Sequence, residues 1–362
     1  MEVKLNKNNQ RKKYKIIDLP EFTWDEIEKT RQNNKLLTLG MELGNLCNFS
    51  CIYCYRNSGQ PLSNELTLNE LIYAAKQAIE LGARKIGIVG AGEPTLDPRL
   101  LPLLKFLRQC IEKVSIFTNG TGITPKLANE LSELQIKIVL KINSLNSEVH
   151  NRLVGKKNGY ELTMRGLDNL LTVGYPMSSR RIEIESVITK INLIDLLGLW
   201  HWCRDNGFTP FFERITPQGR ALNSDLDVSP LQLFDLFQKL KKKDEDYYAY
   251  TWTIQPPFIG QRCLRHYYNC LIDAQGNVLP CSGVNIVIGN IREKKLSEIL
   301  SLSPVIHNLR YIDQKIKGYC AECELKPYCY GCRGAAYHLT GDYLAADPLC
   351  WRQFQSKKMG GD

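Results

Sequence analysis

From Leu36 to Arg214, short apolar runs alternate with stretches whose apolar residues recur every three or four positions. Short runs bounded by turn residues read as strands, and the longer periodic stretches between them read as helices. The strands expected on this basis are Leu36–Leu43, Lys85–Val89, Val114–Phe117, Ile136–Ile142, Ile182–Ile188 and Thr209–Glu213. The clearest helix is Thr67–Leu81. Thr67 and Glu70 form a capping box there, apolar positions follow at helical spacing, and Gly82 can end it. Six β/α units in succession imply a parallel sheet. The expected fold class is therefore α/β, a partial (β/α)6 barrel, with ligands at the carboxyl ends of its strands. The loops that matter most are then Gly44–Gln60, Gly90–Pro98, Thr118–Pro125 and Asn143–Asn146.

After Arg220 the pattern changes. Asn223–Asp227 is polar and reads as a linker, and a helix follows from about Pro230 to Lys243. From Cys263 onward cysteines, glycines and turn residues dominate, with Ala274–Asn277 as the turn of a small hairpin between Cys270 and Cys281. This tail has little apolar periodicity, and metal centres would supply the stability that a core does not. The expected organisation is a basic N-terminal extension (1–35), a core barrel (36–220), a linker and helix (221–254) and a small C-terminal domain (255–355).

Composition narrows the class. The 362 residues are 43% hydrophobic and 23% charged, as in an ordinary globular protein. No apolar run is long enough to span a membrane, and the first fifteen residues lack the apolar stretch of a secretory signal, so the cytoplasm is the default expectation. The net charge is +9, with six basic residues in Lys4–Lys15 and a short run at Lys241–Lys243. These read as solvated surface. No RNA-recognition motif or finger spacing turns them into a nucleic-acid site. Thirteen cysteines are too many, and odd in number, for a disulfide framework in a reducing compartment. Only Cys110 and Cys203 stand alone, both in apolar helical patterns that read as core.

Cys47, Cys51 and Cys54 follow the first strand. A four-iron cluster normally takes four cysteines. Three thiolates leave one iron open to bind and activate a small molecule. Structural zinc would want a fourth Cys or His nearby, and none lies within thirty residues on either side. The spacing C-x3-C-x-aromatic-C resembles the signature of the radical S-adenosylmethionine (SAM) superfamily. The resemblance implies that the open iron chelates the amino and carboxylate groups of SAM. It also implies that an electron from the cluster cleaves SAM to methionine and a 5′-deoxyadenosyl radical, which abstracts hydrogen from a substrate. Tyr53 matches the family's aromatic residue near the adenine. Gly90-Ala91-Gly92-Glu93-Pro94 resembles the family's G-G-E-P segment, which holds the SAM amino group, with Ala91 replacing one glycine. Ser144 stands where the family often places a polar SAM contact. Thr118-Asn119-Gly120 matches a common triplet or is a plain turn, and Glu185 on the fifth strand either points inward or is a solvated or ion-paired strand residue.

The tail contains Cys263, Cys270, Gly276-x4-Cys281, Cys320-x2-Cys323-x5-Cys329-x2-Cys332 and Cys350. It resembles the SPASM extension of radical SAM enzymes, which holds two auxiliary four-iron clusters. The family has three residues where this chain has two, between Cys329 and Cys332. Carried over by position, Cys263, Cys281 and Cys332 would hold the nearer cluster. Cys320, Cys323, Cys329 and Cys350 would hold the farther one. Cys270 is either a fourth ligand of the nearer cluster or an apolar hairpin residue. In isolation, two C-x2-C pairs would equally suit zinc.

The resemblance implies a radical SAM enzyme with a SPASM-like domain. Its substrate would be a peptide that is cross-linked, epimerised or oxidised. The alternatives are a small metabolite such as a sugar or aminocyclitol, a tetrapyrrole side chain that is decarboxylated, or no catalysis at all in an iron–sulfur or zinc protein. The partners implied are an electron donor such as a flavodoxin or ferredoxin and, since only 46 residues precede Cys47, a separate peptide-recognition protein.

Overall fold

The computed structural model describes residues 14–177, 181–222 and 224–354. Asn223 and the basic run from Lys4 to Lys13 lie outside them. Eleven strands occur in these residues: β1 (Lys15–Ile16), β2 (Thr38–Met41), β3 (Lys85–Ile88), β4 (Lys113–Thr118), β5 (Lys137–Lys141), β6 (Ile182–Ile188), β7 (Thr209–Arg214), β8 (Tyr250–Thr251), β9 (Asn269–Ile272), β10 (Asn277–Leu279) and β11 (Gly289–Asn290). Nine form one sheet in the order β11-β10-β9-β2-β3-β4-β5-β6-β7. β2 to β7 are parallel neighbours in chain order. β7 and β11 end the sheet without pairing, so the barrel is partial, as the six-unit pattern implies.

Alternation along each strand divides the two faces. Leu39, Met41, Ile86, Ile88, Ile138 and Leu140 are buried in the main core under the helices. Each such side chain contributes about 1.5–3 kcal/mol through burial. The helix Leu68–Glu80, packed on β2, has the Thr67–Glu70 capping box in place. The opposite face is more polar and looks into the barrel.

Two parts of the chain depart from the expected domains. The N-terminal stretch contains a helix, Trp24–Gln32, with its own capping box on Thr23 and Glu26. Arg310, from the tail, donates to the carbonyls of Thr30 (3.2 Å) and Lys35 (2.6 Å), tying this helix to the C-terminal region. The tail is not a separate cap either. β9 pairs in parallel with β2, so the hairpin β9–β10 extends the barrel sheet. The stretch after the Pro230–Lys243 helix is also integral, because the buried carboxylate of Asp244 accepts from the indoles of Trp200 and Trp252 and from Arg204.

Below the sheet, β1 pairs with β8, and Glu21 spans Lys85 (2.8 Å) and Lys113 (3.4 Å) at the foot of the barrel. Buried Asp18 accepts from Arg262 and from the Thr253 amide, both at 3.1 Å. Cys203 is a core residue as expected, but Cys110 is exposed at the end of its helix, where the apolar face has run out. Among the described residues no helix is long and apolar enough to cross a membrane.

Candidate functional site

The inner face of the barrel encloses a cavity of about 880 Å³. Cys47, Cys51 and Cys54 border it, and so do Cys263 and Cys281 from the tail. The two cysteine groups, more than two hundred positions apart in the chain, therefore share one space.

The first group is built by backbone clamps. Cys47 N donates to Gly59 O (3.0 Å), while Ser50 N and Ile52 N donate to Val154 O and Leu153 O at 3.0 Å. From the turn after β7, the Arg220 amide donates to Cys54 O (2.9 Å). The Arg220 side chain donates to Cys51 O (2.7 Å) and Ser58 O (3.1 Å). Gly219 has φ +58°, and a Cβ there would stand 2.4 Å from Cys54 O, so only glycine fits. The three thiols are electrostatic neighbours of one another. Burial pushes Cys47 up to about 11 and Cys51 up to about 12, so a metal centre binding there displaces protons. Amides of Phe49 (3.4 Å) and Ser58 (3.5 Å) already point at Cys47 Sγ and Cys54 Sγ.

The residues expected around SAM occupy different places. Gly90 opens on the cavity, for a Cβ there would meet nothing nearer than Gly92 O at 4.0 Å beyond its chain neighbours. Such a bare stretch of backbone suits a closely held ligand. Gly92 also borders the cavity, but at φ +77° its missing Cβ points at Gly44 O and Leu46 O, 2.6 Å away. It lets the loop after β3 pack on the cysteine loop. The buried Glu93 carboxylate accepts from Thr95 Oγ1 (2.6 Å), Thr118 Oγ1 (2.5 Å) and Asn119 N (2.6 Å). Thr118-Asn119-Gly120 is thus the anchor of Glu93 as well as a turn. Pro94 opens a short 3-10 turn. Tyr53 borders the cavity, and its hydroxyl accepts from Asn143 Nδ2 at 2.7 Å. Ser144 is a correction: it is buried away from the cavity wall, and its hydroxyl donates to Asp195 at 2.6 Å.

The tail cysteines form two neighbourhoods. Cys281 has Cys263 and Cys332 as electrostatic neighbours. Cys320 neighbours Cys323, and Cys329 and Cys350 neighbour Cys320. Cys270 belongs to neither. It lies fully buried on β9 opposite Leu39 of β2, within the main hydrophobic core. Strand alternation turns its thiol to the helical side, which corrects its expected place among the ligands.

Between the two neighbourhoods lies the buried pair Arg214–Asp347 (2.9 Å), beside Cys332 and Cys350. Two Arg214 nitrogens, Nε and Nη1, are buried without a partner among the described residues, as are Nε and Nη2 of Arg333 beside Cys320. Orphaned donors among thiols fit a sulfide-rich cluster, whose sulfur atoms would accept from them. Among the described residues no three His, Cys, Asp or Glu side chains converge as ligands of one ion do. Thiolates that each bind a different iron of a cluster stand farther apart.

Of the charges on the inner face the sequence reading singled out Glu185 alone, and it missed Lys141, Glu213 and Arg265. Lys141 on β5 pairs with Glu185 on β6 at 2.7 Å. Glu213 on β7 adjoins Glu185. Burial first, and then Glu185, push its carboxyl up to about 8. Arg265 completes the group from the tail side. The available signal was strand period: Lys141, Glu185 and Glu213 all fall on positions opposite in phase to the apolar face.

Residues 41–182 match the family model of the radical SAM superfamily, and residues 263–324 match that of the SPASM iron–sulfur cluster-binding domain. The AdoMet-dependent heme synthase of Methanosarcina barkeri is 28% identical over 86% of this chain and 95% of its own length. The mycofactocin maturase MftC of Mycobacterium tuberculosis is 25% identical over 87% of this chain and 82% of its own. In fold, the chain is similar to Streptococcus suis SuiB, solved bound to its precursor peptide SuiA. The TM-score is 0.71 at 19% identity, covering 90% of this chain and 79% of that one.

Proposed function

The chain is a radical SAM enzyme of the SPASM-containing subgroup, and we propose that it acts on a peptide received in the cavity between its two cysteine groups. The observation that carries this reading is the single cavity bordered by Cys47, Cys51 and Cys54 on one side and Cys263 and Cys281 on the other. When bound, SAM, the cluster on the first three cysteines and the auxiliary clusters on the tail supply hydrogen-abstracting radical chemistry and take up electrons. The protein's own residues do the rest. Arg220 and Gly219 hold the first cysteine loop. Glu93 fixes the loop after β3. Glu21 ties Lys85 and Lys113 together at the foot of the barrel.

The peptide reading draws support from the maturase among the relatives and from the peptide-bound SuiB fold. A flavodoxin or ferredoxin would reduce the enzyme in the cytoplasm, and a separate protein would present the peptide. A second reading has an observation of its own. The match to the heme synthase runs almost the full length of that protein, and the cavity wall is rich in Lys and Arg. Both suit decarboxylation of a tetrapyrrole arm.

Anaerobic incubation with reductant, SAM and a cell extract tests both. The reconstituted protein should carry about twelve irons and form 5′-deoxyadenosine. The Cys47→Ala, Cys51→Ala, Cys54→Ala triple variant should form none. Mass spectrometry should show a shifted peptide. A tetrapyrrole lighter by carbon dioxide would select the second reading, and undiminished SAM cleavage in the triple variant would refute the site.

A further inference from the structure

Arg265 starts the short turn Arg265–Tyr267 that leads into β9, and its side chain lies in the cavity wall. Cys263, Cys281 and Glu213 surround it, and its guanidinium stands 5.3 Å from the centre of the Phe258 ring. Lys15 and Arg181 at the rim of this wall are exposed to solvent, and Arg220 is taken by the carbonyls of Cys51 and Ser58; the more buried cations hold carboxylates. Lys137, Lys141, Arg204, Arg214 and Arg262 hold Glu183, Glu185, Asp244, Asp347 and Asp18. Arg265 holds no carboxylate and makes no side-chain hydrogen bond among the described residues. Glu213 does not fill that place: it leans on Glu185, whose charge Lys141 already takes. Burial and the neighbouring Glu185 raise the Glu213 carboxyl, which favours its protonated form.

We infer that Arg265 is the anchor for a carboxylate of the substrate, with Glu213 as its neighbour in the cavity wall. A planar guanidinium takes a carboxylate through two parallel hydrogen bonds, and the Phe258 ring stiffens its plane. The anchor stands beside Cys263 and Cys281 in the cavity that Cys47, Cys51 and Cys54 also border, so a carboxylate held there fixes how the substrate lies in that cavity. The inference rests on the cavity being the substrate site. An acidic residue of a peptide and a propionate arm of a tetrapyrrole present the same group.

The test uses the reconstituted full chain with SAM under anaerobic conditions. Binding is measured for a glutamate-bearing hexapeptide and its glutamine counterpart, and for coproporphyrin and its methyl ester. The wild type should prefer one acid over its neutral counterpart at least about tenfold, and the acid preferred tells which source is meant. Arg265→Gln should erase that preference. Arg265→Lys, which keeps the charge but not the fork, should lose most of it. Both should retain full iron content. No preference in the wild type, or an unaltered preference in both variants, overturns the inference. So does the loss of about four irons from both variants, which would make Arg265 a counter-ion of the cluster. Formation of 5′-deoxyadenosine is followed in parallel. Its absence from the wild type counts against the proposed function, while the binding data still decide the anchor.

Discussion

Glu213 gives the interior of the barrel a pH signature. A carboxyl raised from 4.5 to about 8 keeps its proton in the folded chain where the unfolded chain has released it. The folded state binds more protons across that window, so its stability falls as pH rises from about 4.5 to about 8. Glu213→Gln removes this dependence. The variant should match the wild type near pH 4.5 and exceed it above about pH 8, read from denaturation midpoints at the two ends. Legibility at this scale follows chemistry. Cys47, Cys51 and Cys54 were readable because three metal-binding groups within eight positions need no fold to bring them together. Ser144 was misplaced because it lies in the loop after β5, where spacing does not say which way a hydroxyl turns, and Cys270 was left open because a thiol on a strand faces either way, with one step of phase deciding which. Gly92 was read as a ligand contact because sequence shows the lack of a side chain but not what fills the space.

The turn after β7 and the loop after β2 act as one unit, although some 160 residues separate them. Gly219→Ala forces a Cβ against Cys54 O and also strains a left-handed backbone. The expected outcome is loss of about four of about twelve irons, those of the first site, while the tail retains its own. Iron analysis and visible absorption distinguish this from general unfolding. The strands themselves were readable to within a few residues. Ile182–Ile188 agrees throughout, while Leu36–Leu43 shortens to Thr38–Met41. Runs that bury one face fully leave a strong pattern. Nothing local marks the Gly219–Arg220 clamp, since its partners lie in another segment and are backbone carbonyls.

Across the whole molecule, barrel and tail are joined through Arg214 and Asp347, side chains 3% and 0% exposed. Arg214→Met leaves the Asp347 charge buried and unpaired, at a cost of about 3–5 kcal/mol. The denaturation midpoint should fall accordingly, and adding Asp347→Leu should restore part of the loss. The domain plan drawn from the sequence placed a boundary near 255 because composition changes there. Composition does not reveal that β9 returns to pair with β2, a contact between residues some 230 positions apart. That pairing bears on how such a protein is divided and recombined. A fragment ending at residue 254 would leave the backbone groups along one side of β2 bare, an invitation to intermolecular pairing. It should aggregate rather than behave as an autonomous catalytic module, which size-exclusion chromatography of the fragment would reveal. The cluster-bearing tail is not an accessory that can be exchanged at its linker, because it supplies the outermost rung of the same ladder on which the radical site is mounted.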